Sequence, residues 1–254
     1  MARRRGRIAR KVLLLLAALA ISRCGCGQGG PPLVTDDPGT PGPGNWEVNL
    51  SGALEDRRGE RSFDSPRIDA NYGIGRRLQA KIEVPWRIRE DGASASGIGN
   101  ALLGLKWRFC DEADCGASVA FYPQVEVQLS QRSVRLGLAE NGTGLLLPVV
   151  AQKEFGLLSA NVEGGYFKRE GEGRRWIWGL ALGRRWGDFE VMTEAYGSVA
   201  PKPAGSEASW DLGARWHAAP WFGILASAGT GLSASGGRAP RARALAYLGG
   251  QFLF

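Results

Sequence analysis

Histidine is almost missing from this chain: one residue, His217, in 254, beside only two methionines and four cysteines. A tetrahedral zinc site takes four Cys, His or carboxylate ligands. One imidazole with the separated pairs Cys24/Cys26 and Cys110/Cys115 does not fill one, so no metal and no cofactor is expected. Acid–base and nucleophilic catalysis lean on histidine as well. His217 precedes Ala218, Ala219 and Pro220, which marks it as a turn or girdle residue at a strand end, and no catalytic residue is assigned. Glu190 and Glu194 share a strand face without a partner base. Gly73–Arg77 (GIGRR) has no following helix to make an anion site.

Long apolar runs are missing too. The longest is Val12–Ile21, ten residues, whereas a helix crossing a bilayer needs about 20. Arg3, Arg4, Arg5, Arg7, Arg10 and Lys11 precede it and small residues follow, the three parts of a secretory signal peptide, assigned to residues 1–22. An uncleaved N-terminal anchor is the alternative. Those six basic residues account for most of the formal net charge of +7, leaving about +1 for the exported chain. The basic balance is an export feature, and nucleic acid is excluded as a partner.

The cysteines fit an oxidising compartment. Cys110 and Cys115 bracket the polar turn CDEADC and are expected to form a local disulfide of modest stabilising effect. Cys24 or Cys26 could carry a lipid, although Arg23 breaks the small-residue pattern that export lipidation prefers. The stretch Gln28–Asn45 is rich in Pro and Gly, with little apolar surface to bury. Residues 23–45 are therefore expected to be a flexible periplasmic lead-in.

From Trp46 to Phe254 the pattern is uniform. Twelve segments of roughly nine to twelve residues alternate apolar and polar, separated by Gly-rich or charged breaks. Leu78, Ala80, Ile82, Val84 and Trp86, for example, alternate with Arg77, Gln79, Lys81 and Glu83. Leu145–Phe155 and Trp221–Thr230 are apolar on both parities, and their facing stays open. A soluble sandwich shows period two as well, but three features favour a barrel in lipid. The breaks alternate long (Glu55–Ser65, Arg87–Ser96, Gln131–Gly144, Ala200–Glu207, Leu232–Ala242) and short. Tryptophans cluster at segment ends, as two interfacial girdles require. The final AYLGGQFLF carries Tyr247, Gly249, Phe252 and Phe254, which resembles the signal read by the outer-membrane insertion machinery.

The expected fold is all-β: a transmembrane antiparallel up-and-down β-barrel of about 12 strands spanning 46–254, with outer-membrane lipid as its solvent. Open sheet edges in hydrocarbon cost several kcal/mol per unpaired group, so Trp46–Leu54 should close against Ala244–Phe254. The inward parity then holds Arg77, Lys81, Lys106, Arg108 and Arg215 against Glu83, Glu126, Glu163, Glu190 and Asp211, with Gln79, Gln124, Gln128 and Asn161. Such a lumen is either a filled, self-paired interior or a path selective by charge and size. Twelve strands fall between filled eight-stranded barrels and open porins.

Gly97–Phe109 (GIGNALLGLKWRF), the acidic turn after it, and Pro148–Tyr166 (PVVAQKEFGLLSANVEGGY) resemble the outer-membrane family of meta-pathway phenol-degradation transporters. The resemblance implies a Gram-negative outer-membrane barrel for uptake of small hydrophobic or aromatic compounds. It transfers no substrate-binding residue, and the CDEADC turn departs from it. The alternative is a plugged structural or surface-interaction barrel without transport. Neither reading is enzymatic.

Overall fold

A computed structural model describes residues 30–201, 205–236 and 240–254. The expected signal peptide, and Cys24 and Cys26 with it, lie outside the described residues. Fourteen strand segments make one antiparallel sheet. They are β1 (Trp46–Arg57), β2 (Glu60–Ile74), β3 (Leu78–Glu90), β4 (Ser94–Ile98), β5 (Ala101–Cys110), β6 (Ser118–Phe121) and β7 (Gln124–Val127). Then follow β8 (Gly144–Phe155), β9 (Leu158–Arg169), β10 (Arg174–Trp186), β11 (Phe189–Val199), β12 (Ser206–Ala219), β13 (Phe222–Ala234) and β14 (Ala242–Leu253). No helix among the described residues is long and apolar enough to cross a membrane.

The fourteen segments are twelve staves. β4 and β5 pair along successive stretches of β3, and β6 and β7 along successive stretches of β8, so each couple is one interrupted strand. Pro123 interrupts the second, because its nitrogen has no hydrogen to give the ladder. Tyr122 N donates to the Pro148 carbonyl (3.0 Å) and Leu105 N to the Pro123 carbonyl (3.0 Å), which holds the wall shut across the break.

The sheet closes as the backbone demands. β1 pairs with β14 from Glu47↔Leu253 to Arg57↔Ala242. Trp46 N donates to Phe254 O at 2.6 Å, and Phe254 N to Trp46 O at 3.1 Å. We call this the basal end and the opposite one the loop end.

Burial is inside out, as lipid requires. Leu50, Ile82, Leu105, Val162, Leu180, Leu212 and Leu248 are exposed on the outer wall, while Asn49, Asp69, Asn71, Asn161, Glu190 and Glu194 are buried within. Aromatic pairs flank the apolar band. At the basal end Phe189 stacks on Trp216 (centroids 5.8 Å), Trp46 packs on Tyr72 (4.8 Å) and Phe222 on Phe252 (5.1 Å). Toward the loop end Tyr166 meets Trp176 edge-on at 5.4 Å. Tyr247 and Gly249 share the inward parity of the buried Gln251, and Phe252 and Phe254 the outward one. The two open segments now resolve: Leu145 and Val149 of β8 and Ile224 of β13 are exposed, while Val150 and Leu225 are buried inside.

Two expected long loops are tight hairpins. β1 and β2 are joined by Arg58 and Gly59 alone, with Gly59 at φ 90°, and β3 and β4 by Asp91, Gly92 and Ala93. Above the apolar band a strand loses its hydrophobic alternation but keeps its ladder. Arg87 there chelates Asp64 (2.7 and 2.9 Å), and Arg61 reaches Asp56 at 3.3 Å. The connection at 128–143 is the long one. It carries helix α2 (Gln131–Arg135), capped by Ser130 Oγ, which accepts from Ser133 N at 3.2 Å. Asn100 binds the Glu140 backbone in both directions (3.1 and 3.0 Å), tying this loop to the wall.

The CDEADC turn is one helical turn, α1 (Glu112–Cys115), closed by a Cys110–Cys115 disulfide with Cα atoms 6.2 Å apart.

Candidate functional site

The barrel interior is the candidate site, and each wall strand presents alternate residues to it. On β1–β3, Asn49 donates to Asp69 (3.2 Å), Asn71 to Asp69 (3.1 Å) and Gln79 to Asn71 (2.7 Å). Lys81 Nζ lies 3.4 Å from Asp69 and 3.0 Å from Glu83, and Arg67 Nε donates to Glu83 at 2.6 Å. Elsewhere on the wall, Arg215 of β12 pairs with its register partner Glu190 on the adjacent β11 (3.4 Å). Glu126 receives Arg169 at 2.6 Å near the loop end. Of the anticipated lumen charges, Lys81 with Glu83 and Arg215 with Glu190 satisfy each other locally.

Of the expected lumen residues, Lys81, Glu83, Lys106, Glu126, Glu163, Glu190, Asp211 and Arg215 face the interior. Arg77 does not line it, and Arg108 shares the inward parity of Lys106 at the basal edge of β5. Arg77 sits in the β2–β3 turn and pairs with Asp111 (3.0 Å), and Arg108 reaches the Arg76 carbonyl (2.9 Å) and Asp111 (2.8 Å). For Arg77 the periodicity ran past the start of β3 into the turn, where Asp114 of α1 also reaches it at 3.4 Å. His217 lies at the basal strand end, where it was expected. Of the two settings offered, turn or girdle, it is within the last residues of β12 and not in the turn, its Nε2 3.9 Å from the buried Glu190 carboxylate.

Sequence reasoning missed Asp64 and Arg67, whose parity shifts at the irregularity between them in the β2–β3 register. It also missed the most consequential occupant. The residues taken for a flexible periplasmic lead-in, as far as described, run through the lumen. Val34 N and Thr35 N donate to the two oxygens of Glu194 (2.7 and 2.8 Å), and Asp36 N to Glu163 (2.9 Å). Lys106 Nζ binds the Asp36 carboxylate at 2.8 Å. Arg215 donates to the Pro31 carbonyl (2.8 Å) and Ser227 to that of Pro32 (3.0 Å). A Pro/Gly-rich segment cannot satisfy its own backbone, but the wall supplies partners for it.

The wall also makes room. A Cβ at Gly179 would collide with Thr35 and one at Gly73 with the Gly42 backbone, and one at Gly213 would stand 3.0 Å from Leu33 Cδ2. Leu33 is buried against Ala181 and Met192. Burial pushes the Asp36 carboxyl up, but the Lys106 and Lys81 ammoniums outweigh it and hold the group below the ordinary 3.8. Its neighbour Asp37 is pushed the other way by burial, which Lys106 only partly offsets.

Three cavities border this segment. A basal vestibule of about 380 Å³ is lined by Asp36, Asp37, Lys81, Lys106, Tyr122 and Arg215 among others. A loop-side vestibule of about 590 Å³ reaches Arg67, Arg87 and Arg89. The third, about 360 Å³, is different in character. Leu146, Phe167, Ile177, Tyr196 and Leu245 line it, with Val34 and Thr35 of the segment on one side. The charges at its edge are engaged: Arg175 lies 4.3 Å over the Phe167 ring, and Arg57 pairs with Glu55 (2.5 Å) and Glu207 (3.5 Å).

No protein-family model matches the sequence, and comparison with curated proteins gives no match. Solved structures do match. An outer-membrane channel from Pseudomonas putida F1, of the group COG4313, superposes with a TM-score of 0.67 at 13% identity, over 89% of this chain and 100% of that one. The NanC porin superposes at 0.55 with 10% identity, over 82% of this chain and 99% of that one. The CymD monoaromatic hydrocarbon channel, at 0.46, is too loose a match to bear on this chain. At these identities the likeness concerns architecture, and the chain has the fold of bacterial outer-membrane channels.

Proposed function

We propose that the protein is a channel of the Gram-negative outer membrane that passes small hydrophobic or aromatic compounds. One observation carries the solute class: an apolar, aromatic-lined cavity inside an otherwise charged lumen. At about 360 Å³ it exceeds the roughly 150 Å³ that accommodates a benzene, and it falls in the usual range of ligand pockets. Its edge charges are paired, so it favours a neutral ring over an ion. The family resemblance of Gly97–Phe109 and Pro148–Tyr166 supports the same reading.

The second reading, a plugged barrel without transport, draws on the segment at 30–45. Liposome uptake separates them. Vesicles holding the protein should accumulate labelled phenol or toluene faster than empty vesicles, and Ile177→Arg, which puts a charge into the cavity, should abolish the difference. Uptake no faster than in empty vesicles sinks the transport reading.

A further inference from the structure

We infer that residues 30–45 are a displaceable gate, seated on the wall carboxylates of Glu163 and Glu194 and able to leave without disturbing the barrel. The inference rests on the channel reading above. The anchors named between the segment and the wall are mostly polar: three backbone N–H groups on two carboxylates, one ion pair to Lys106, and two carbonyls taken by Arg215 and Ser227. Water can replace each of these when the segment moves, because both vestibules reach it: Gly30, Pro31 and Asp36 line the basal and the loop-side cavity alike. Among the described residues of the segment, only Leu33 joins a buried apolar cluster, and a small one, with Ala181 and Met192. A structural plug would carry the reverse balance, with many apolar contacts and few exchangeable ones.

The segment is also built to move as a unit. Its own turn closes between Gly30 N and the Thr35 carbonyl (2.8 Å) and between Leu33 N and the Gly30 carbonyl (2.9 Å), independently of the wall. Between that turn and β1 the chain reads Pro38-Gly39-Thr40-Pro41-Gly42-Pro43-Gly44. Gly42 and Gly44 have φ of 88° and 76°, a left-handed region open to glycine at little cost. Gly44 and Asn45 are held by the Gly73 backbone (both 2.9 Å), which fixes the hinge to the end of β2. The segment can therefore swing toward the basal mouth about a tethered point.

Planar-bilayer recording of the full mature chain tests this with potassium chloride as the permeant. The paired change Glu163→Gln/Glu194→Gln preserves shape and removes the charge that holds the three amides. Open probability should rise roughly tenfold or more per carboxylate, the scale of a hydrogen bond to a charged acceptor. Gly179→Leu, which fills the Thr35 seat by bulk, should give the same open level by a different route. If both variants run as folded barrels on a heat-modifiability gel and keep the wild-type open probability, the gate is overturned. If neither variant nor the wild type conducts at all, the channel reading falls with it. Wild-type protein that is already fully open likewise overturns the gate alone.

Discussion

Replacing Asp36 by Asn tests the seating energetics one bond at a time. The perturbation removes the carboxylate that Lys106 Nζ meets at 2.8 Å and leaves the ammonium, whose side chain is only 4% exposed, without its closest counter-ion. Coulomb attraction at that separation and an effective dielectric near 20 is about 6 kcal/mol. The net cost is smaller. Breaking a buried pair typically costs about 3–5 kcal/mol, and Asp36, 21% exposed toward a vestibule, belongs at or below the low end. About 2–3 kcal/mol remains, a shift of roughly 30- to 150-fold between seated and unseated segment. Hydrogen exchange read by mass spectrometry gives this directly. The amides of Val34, Thr35 and Asp36 are covered by Glu194 and Glu163 when seated, and their exchange should accelerate by that factor. Peptides from β12 and β13 should not change. Unaltered exchange at 34–36 would refute the reasoning, and so would equal acceleration in the wall, since the barrel itself would then have loosened.

Other outcomes follow from the same geometry. The Asp36 carboxyl is held below its ordinary value, so its contribution to seating is complete above about pH 3.8 and is lost as the pH falls further. The difference in amide protection at 34–36 between wild type and Asp36→Asn, which isolates that share, should persist down to that point and vanish below it. Asp37 is shifted upward by burial and acts with the opposite sign, so Asp37→Asn should slow exchange at neutral pH where Asp36→Asn speeds it. On the outer wall, Leu212→Arg places a charge in lipid at about 2–4 kcal/mol near the midplane. It should lower the urea midpoint in bilayers, whereas Asp211→Asn, one residue away and facing inward, should leave it nearly unchanged. Reducing Cys110–Cys115 opens a link of sequence separation 5, worth about 2 kcal/mol on loop-entropy grounds. Denaturation with and without reductant should show a loss of that size, and a much larger one would mean α1 braces the basal rim.

The sequence by itself determined the wall. Period two with apolar residues on one parity has a single solution when that parity faces lipid. Trp46 against Phe254, the girdles and the inward Lys81, Glu83, Lys106 and Asp211 all follow from local alternation. Alternation says nothing where both faces are polar, so the charged hairpins at Arg58–Gly59 and Asp91–Ala93 read as loops, and it does not mark where a strand begins, so Arg77 of the β2–β3 turn reads as lining. What only the tertiary structure decided is the content of the lumen. Residues 30–45 carry no pattern because their partners are not neighbours in the chain: Glu163 and Glu194 lie 127 and 160 positions from the amides of Asp36 and Val34 they receive. A segment too polar to fold alone becomes ordered when a closed ring of strands brings carboxylates, an ammonium and three glycine gaps around it. That convergence is a property of the barrel's circumference and is written in no single stretch of residues.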